Sequence, residues 1–215
     1  MPQIYLHHYN HHIIEIAIDY PMSDHVPPCG LAVLGHPHPL FGGTMDNKVV
    51  QTMNRTLQEL GYVVVRFNFR GVGQSTGLHD DGMGEIDDAV EVVRYAQQLD
   101  HGRYADLPLV LGGFSFGSFI MSHVQQRLIA QGQTIARMMM LGTAAGKWSV
   151  APVPSDSIVI HGENDDTIPL ADVMNWARAI DVPVIVIPNA DHFFHKKLVL
   201  LKQLILQNWG NTPRI

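Results

Sequence analysis

A mostly parallel α/β sheet with helices on both faces is the fold class this sequence predicts, and three observations lead to it. Short β-branched runs alternate with longer helical patterns along nearly the whole chain, the mark of βαβ units. The 215 residues suffice for one hydrophobic core and are few for two, so a single domain over 1–215 is expected. Hydrophobic residues make up 46% and charged residues 16%, which suits a well-buried globular chain rather than a disordered one.

The elements follow in order. Residues 13–18 read as a half-buried strand with Ile14, Ile16 and Ile18 on one face. His7, His8, His11 and His12 before it read as a solvated N-terminal surface, because no Asp or Cys stands beside them to complete a metal site. Residues 31–34 form a buried strand ending at Gly35-His36-Pro37-His38-Pro39. Asp46 is expected to cap a helix over 47–60, which Gly61 ends in the C′ position. A strand at 62–67 leads into the Gly-rich loop 70–75, and a helix over 84–99 follows. The strand at 107–111 feeds the turn at Ser115, and a helix over 116–131 leaves it. Further strands are expected at 137–141, 157–160 and 182–187, with helices at 170–180 and 196–209. Met138, Met139 and Met140 read as part of a core strand. Only residues 142–156 separate two of these strands, too few for a helical cap, so an open site with no cap domain is expected.

Composition removes several function classes. The net charge is −6 and the Lys and Arg residues are scattered, which leaves no footprint for nucleic acid or an anionic membrane surface. Cys29, the one cysteine, allows neither an intramolecular disulfide nor a thiolate zinc cluster and suits a reducing compartment. Residues 1–25 show no basic segment followed by an apolar one, and the longest apolar runs are of strand length. A cytoplasmic location without a membrane span is the expectation.

Chemistry concentrates where strands end, the edge at which open α/β sheets place their sites. Gly113-Phe114-Ser115-Phe116-Gly117 is a short motif, and its setting between a buried strand and a helix gives it weight. A serine there takes a strained backbone that lifts Oγ above the sheet, and the flanking glycines let neighbouring backbone approach. A serine hydroxyl needs a base, and His192, in the loop after the last strand, is the best one. His195 is expected inside the following helix and ranks below it. The base in turn needs a carboxylate. Of Glu163, Asp165 and Asp166, we select Asp165, at the loop apex before Ile168-Pro169; Asp166 reads as the cap of that turn. The chain order is Ser115, Asp165, His192. The oxyanion donors are the N–H of Phe116 and one from the loop after the 31–34 strand. Pro37 and Pro39 have no N–H, so His38 is the first candidate there and Leu40 the second. Leu40 and Trp148 are candidate substrate-binding residues. Arg70 reads as a loop-anchoring ion pair rather than a substrate cation.

With these residues in place, the chain resembles the α/β-hydrolase superfamily: the Ser115 elbow, His161-Gly162-x-x-Asp165-x-x-Ile168-Pro169 and Asp191-His192-Phe193-Phe194 carry the likeness. Two longer stretches, His36-Pro37-His38-Pro39-Leu40-Phe41-Gly42-Gly43-Thr44-Met45-Asp46-Asn47-Lys48 and Phe67-Asn68-Phe69-Arg70-Gly71-Val72-Gly73-Gln74-Ser75, are similar to a family of small, lidless bacterial hydrolases, mostly predicted esterases. The resemblance covers roughly residues 12–208 and implies the triad Ser115, Asp165 and His192. The sequence departs from the wider superfamily at Asn68, where an Asp is common, and loop anchoring is what that departure touches.

The resulting expectation is a carboxylesterase-type serine hydrolase for small-molecule short acyl esters, with no cofactor or metal, no nucleic-acid or membrane partner, and no oligomeric state that the sequence specifies. Thioesterase, amidase and peptidase activities use the same constellation and stay open. A metal-dependent hydrolase built on His36-x-His38 with His161, Asp165 and His192 is the rival chemistry. Pro37 between the two histidines and the short chain weigh against it. A non-catalytic recognition module would ordinarily lack one of the three triad residues.

Overall fold

The computed structural model describes residues 2–23 and 26–210. The chain opens with a hairpin of β1 (Gln3–Tyr9) and β2 (His12–Asp19), closed by the two residues Asn10 and His11. Asn10 takes φ 51°, a left-handed conformation that Asn tolerates better than most residues. The sequence does not predict β1. Its Ile4, Tyr5 and Leu6 are exposed, so it has no clean apolar face for a periodicity argument to find.

From there the chain alternates. β3 (Gly30–Gly35) leads through a 3-10 turn at Pro39–Phe41 to α1 (Lys48–Glu59) and β4 (Tyr62–Phe67). α2 (Met83–Gly102), β5 (Leu109–Phe114), α3 (Phe116–Ala130) and β6 (Arg137–Leu141) follow. β7 (Ile158–Gly162), α4 (Leu170–Ile180), β8 (Ile185–Ile187) and α5 (Leu198–Trp209) complete it. The eight strands form one sheet in the order β1-β2-β4-β3-β5-β6-β7-β8. β1 and β2 pair antiparallel, as do β2 and β4, and every other pair is parallel.

Alternate strand residues divide the core. Leu31, Val33, Leu111, Met138 and Met140 face the side covered by α2, α3 and α4. Ala32, Leu34, Val110, Met139 and Leu141 face the side covered by α1 and α5. Strands buried on both faces read as continuous apolar runs, which is why the three methionines form part of a central strand. The segment 142–157 between β6 and β7 holds no helix. Among the described residues no helix is long and apolar enough to cross a membrane.

Several boundaries and caps differ from expectation. β5 starts at Leu109 and runs to Phe114, so Gly112 and Gly113, turn residues by type, pair with Met139 and Met140 inside the sheet. The backbone leaves helical geometry at Leu99, where the sequence predicts the helix to stop, although hydrogen bonding carries α2 to Gly102. The α1 cap is Asn47, whose side chain accepts the Val49 N–H at 2.9 Å. Asp46 does not cap; its Oδ1 receives Nη1 of the buried Arg66 at 3.0 Å. Gly61 ends the helix at φ 91°, the C′ conformation.

Candidate active site

Ser115 stands between the end of β5 and the start of α3 with φ 55° and ψ −123°. A non-glycine residue in that conformation is strained, and the surroundings over-determine it. The Ser115 N–H donates to the Leu141 carbonyl at 2.9 Å. The Ser118 hydroxyl donates to the Ser115 carbonyl at 2.6 Å and accepts the Ala144 N–H at 3.0 Å. A Cβ on Gly113 would overlap the backbone of Gly117, and one on Gly117 would overlap the Gly35 carbonyl. The two glycines of the motif therefore let β3, β5 and the first turn of α3 touch backbone to backbone.

His192 and Asp165, the candidate base and acid, arrive on two adjacent loops. The Asn164 N–H donates to the Ala190 carbonyl at 2.9 Å, tying the loop after β7 to the loop after β8. Gly162 makes this possible, since a Cβ there would collide with the carbonyls of Ala190 and Asp191. His192 is buried, with Nε2 2.9 Å from Ser115 Oγ and Nδ1 2.6 Å from Asp165 Oδ2. Phe114 and Phe193 flank its ring at 5.0 and 5.1 Å between centroids. The other acids of the loop go elsewhere. Glu163 accepts the Asn189 N–H, and Asp166 is exposed. The turn cap expected of Asp166 belongs to Asp165, whose Oδ1 accepts the N–H groups of Thr167 at 2.9 Å and Ile168 at 2.7 Å; a carboxylate with two oxygens can serve the turn and His192 together. His195 lies before α5 rather than within it and pairs with Asp191 at 2.7 Å, away from Ser115.

Electrostatics suit an ionised carboxylate at Asp165. Burial pushes the Asp165 carboxyl up, but the hydrogen bond and charge of His192, with the Ile168 N–H, outweigh it and leave the group below the usual carboxylate range. The site opens into a cleft of about 610 Å³ walled by Phe41, Phe116, Trp148, Ile168 and Phe193, and among the described residues Lys147 is the only Lys, Arg, Asp or Glu on its lining. The N–H groups of Phe116 and His38 have no protein acceptor among the described residues, and both residues line the cleft. The His38 ring packs within 5 Å of Phe41, His79 and Phe116 between centroids, and burial followed by the charge of His79 lowers its pKa.

Leu40 is not brought to the cleft. It is exposed, does not line the cavity, and its N–H donates to His38 Nδ1 at 3.2 Å, so it is free neither as an oxyanion donor nor as a wall. Its neighbour Phe41 takes the wall position, because one residue's step around a 3-10 turn rotates the side chain by about a third of a circle. Trp148 lines the cleft, stacked 5.1 Å from Phe119. Arg70 holds Asp88 with two hydrogen bonds of 2.8 Å and anchors its loop. Sequence reasoning does not reach Phe41, Lys147 or Phe193. Adjacency to His192 is a usable signal for Phe193, and nothing in the sequence marks Lys147.

The His36-x-His38 metal arrangement does not form. His36 accepts the Phe69 N–H on Nε2 at 3.0 Å and donates from Nδ1 to the Pro37 carbonyl at 2.6 Å, leaving no lone pair for an ion. Among the described residues no group of three or more His, Cys, Asp and Glu is arranged to hold a metal, the N-terminal histidines included. His7 there pairs with Glu91 at 3.0 Å.

A family model described as the alpha/beta hydrolase fold matches residues 40–157. An uncharacterized protein of Rickettsia prowazekii is 35% identical over 181 residues, 80% of this chain and 74% of its own length. An alpha-beta serine hydrolase homologue from Coxiella burnetii superimposes with a TM-score of 0.85 at 32% identity, covering 97% of each chain. A Xanthomonas campestris protein described as an a/b serine hydrolase without lid gives a TM-score of 0.81 at 32% identity, covering 94% of this chain and 92% of that one. By sequence and by structure, the chain belongs to the α/β-hydrolase fold family.

Proposed function

We propose that the protein is a serine hydrolase of the carboxylesterase type, acting on short acyl esters through Ser115, His192 and Asp165. The observation that carries this reading is the continuous hydrogen-bonded chain from Asp165 Oδ2 through the His192 ring to Ser115 Oγ, ending in an open, mostly apolar cleft. The family membership supports hydrolysis; the ester preference rests on the cleft.

In this reading His192 Nε2 takes the Ser115 proton as Oγ bonds to the ester carbonyl carbon. The carbonyl oxygen becomes an oxyanion and accepts the N–H groups of Phe116 and His38, the first of them at the positive end of α3. Collapse breaks the bond to the alcohol oxygen, which leaves with the proton from His192. Water then gives a proton to His192 and its oxygen to the acyl carbon, and collapse releases the acid and restores Ser115. Asp165 stays ionised throughout and stabilises the imidazolium.

A cleft with no lid gives short acyl groups a wall and gives long chains little further cover, so apolar gain ends after a few methylenes at about 0.8 kcal/mol each. The test is a panel of nitrophenyl esters of increasing acyl length, with thioester, anilide and peptide substrates beside them, on wild type and Ser115→Ala. Best turnover on short esters is expected, lost on the order of thousands-fold in Ser115→Ala. Best turnover on thioesters, anilides or long acyl chains would overturn the ester reading and leave the nucleophile standing.

A further inference from the structure

Asp165 Oδ2 has a second imidazole beside it, one that the proton-transfer chain does not use. His161, in β7, is fully buried, with Nε2 2.9 Å from the Ile168 carbonyl oxygen and 3.3 Å from Asp165 Oδ2. Both neighbours are acceptors, so Nε2 must carry the ring proton. Nδ1 is buried and has no hydrogen-bond partner among the described residues, which fits a bare lone pair and not a second N–H. Burial holds the imidazole below its ordinary pKa, so the ring is a neutral donor and not a competing cation.

This arrangement is unfavourable for mere filling. An apolar ring at 161 would occupy the same space without stranding a buried nitrogen. What the imidazole adds is one N–H given to the Ile168 carbonyl, with Asp165 Oδ2 3.3 Å from the same nitrogen. Oδ1 of Asp165 is fixed by the N–H groups of Thr167 and Ile168, but Oδ2, the oxygen that faces His192, has no backbone donor among the described residues. Among the described residues, His161 is the other polar group beside it, at 3.3 Å.

We propose that His161 is a positioning residue: its Nε2–H bridges the Ile168 carbonyl and Asp165 Oδ2 and fixes the carboxylate that orients His192. This rests on the reading of Ser115, His192 and Asp165 as the catalytic chain. The residue touches no reacting atom and acts only through Asp165. Removing its N–H leaves Oδ2 with its full negative charge directed at His192 while Oδ1 keeps the carboxylate in its loop. The carboxylate can then swing about its remaining anchor.

The variants are His161→Phe, which keeps the ring and removes the N–H, and His161→Gln, whose amide nitrogen reaches about as far as Nε2. In His161→Phe, kcat should fall roughly tenfold with KM unchanged, the loss expected of one charge-assisted hydrogen bond. His161→Gln should recover most of that loss. Equal losses in the two variants, or none in His161→Phe, would overturn the proposal. Nitrogen-15 histidine spectra of the unsubstituted protein and of Ser115→Ala test the same point with the core unaltered. The proposal requires the Nε2–H tautomer at His161, and an Nδ1–H tautomer contradicts it. Full turnover by Ser115→Ala would instead sink the catalytic reading, whichever tautomer the spectra show.

Discussion

Asp165 serves His192 with one carboxylate oxygen and its own loop with the other: Oδ2 lies 2.6 Å from His192 Nδ1, while Oδ1 accepts the Ile168 N–H at 2.7 Å. An amide at this position keeps the shape and can satisfy only one of these demands with the correct atom. If its oxygen stays with the loop, its NH₂ faces His192 Nδ1 and forces the ring proton onto Nε2, the nitrogen that accepts from Ser115 in the proposed mechanism. Asp165→Asn should therefore lose kcat on the order of 10⁴-fold, with KM little changed and the fold intact by circular dichroism. Activity within tenfold of wild type would show that another group orients His192.

His36 makes a prediction about acid stability. Its ring is fully buried and neutral, and burial pushes its pKa from the ordinary 6.5 down to about 3. The unfolded chain binds a proton there in a range where the folded chain does not. Stability from this group is thus complete above about pH 6.5 and declines as pH falls from there toward 3, by up to ~1.4 kcal/mol per pH unit. His36→Gln retains an acceptor for the Phe69 N–H and removes the titration. Urea midpoints measured from pH 4 to 7 should fall less steeply on acidification in the variant, and parallel curves would refute this assignment.

Asn68 has a defined reason to be an amide. Oδ1 accepts the Met45 N–H at 2.9 Å and Nδ2 donates to Glu15 Oε2 at 2.8 Å. An aspartate would keep the first bond and set a carboxylate against a carboxylate. Asn68→Asp should lose about 1–3 kcal/mol at neutral pH, and Glu15→Gln in the same chain should restore most of it. A double-mutant cycle with no coupling would contradict the pairing.

Gly117 and Gly132 separate close approach from backbone conformation. A Cβ on Gly117 meets the carbonyls of Gly35 and His36, whereas one on Gly132, at φ 84°, meets nothing within 4 Å. Gly117→Ala must displace the elbow and should lower kcat by roughly 10²-fold, the effect of an ångström-scale misplacement. Gly132→Ala is strained only in its own backbone and should lower Tm while leaving kcat unchanged. Equal effects on kcat would mean that the elbow tolerates the added carbon.

Much of this arrangement is legible in the residues themselves. The parallel core strands are continuous apolar runs, and the loops at their ends carry the unusual residue types, so Ser115, Asp165 and His192 stand out without any contact map. Less legible are features set by partners distant in sequence. Gly112 and Gly113 look like turn residues until β3 and β6 pair on either side of β5. Asp46 looks like a cap until Arg66 arrives from the neighbouring strand. β1 is an edge strand with exposed apolar residues, and its pattern acquires meaning only from pairing with β2. Leu40 and Phe41 are equivalent as letters, and only the turn decides which of them reaches the cleft.

Reaction with a fluorophosphonate followed by peptide mapping reports on the proposed nucleophile, Ser115, itself. The serine oxygen displaces fluoride at phosphorus, so a single adduct is expected on Ser115. It should be absent in Ser115→Ala and should form more slowly in Asp165→Asn. No labelling under conditions that modify a known serine esterase, or an adduct on another residue with Ser115 free, would contradict that role.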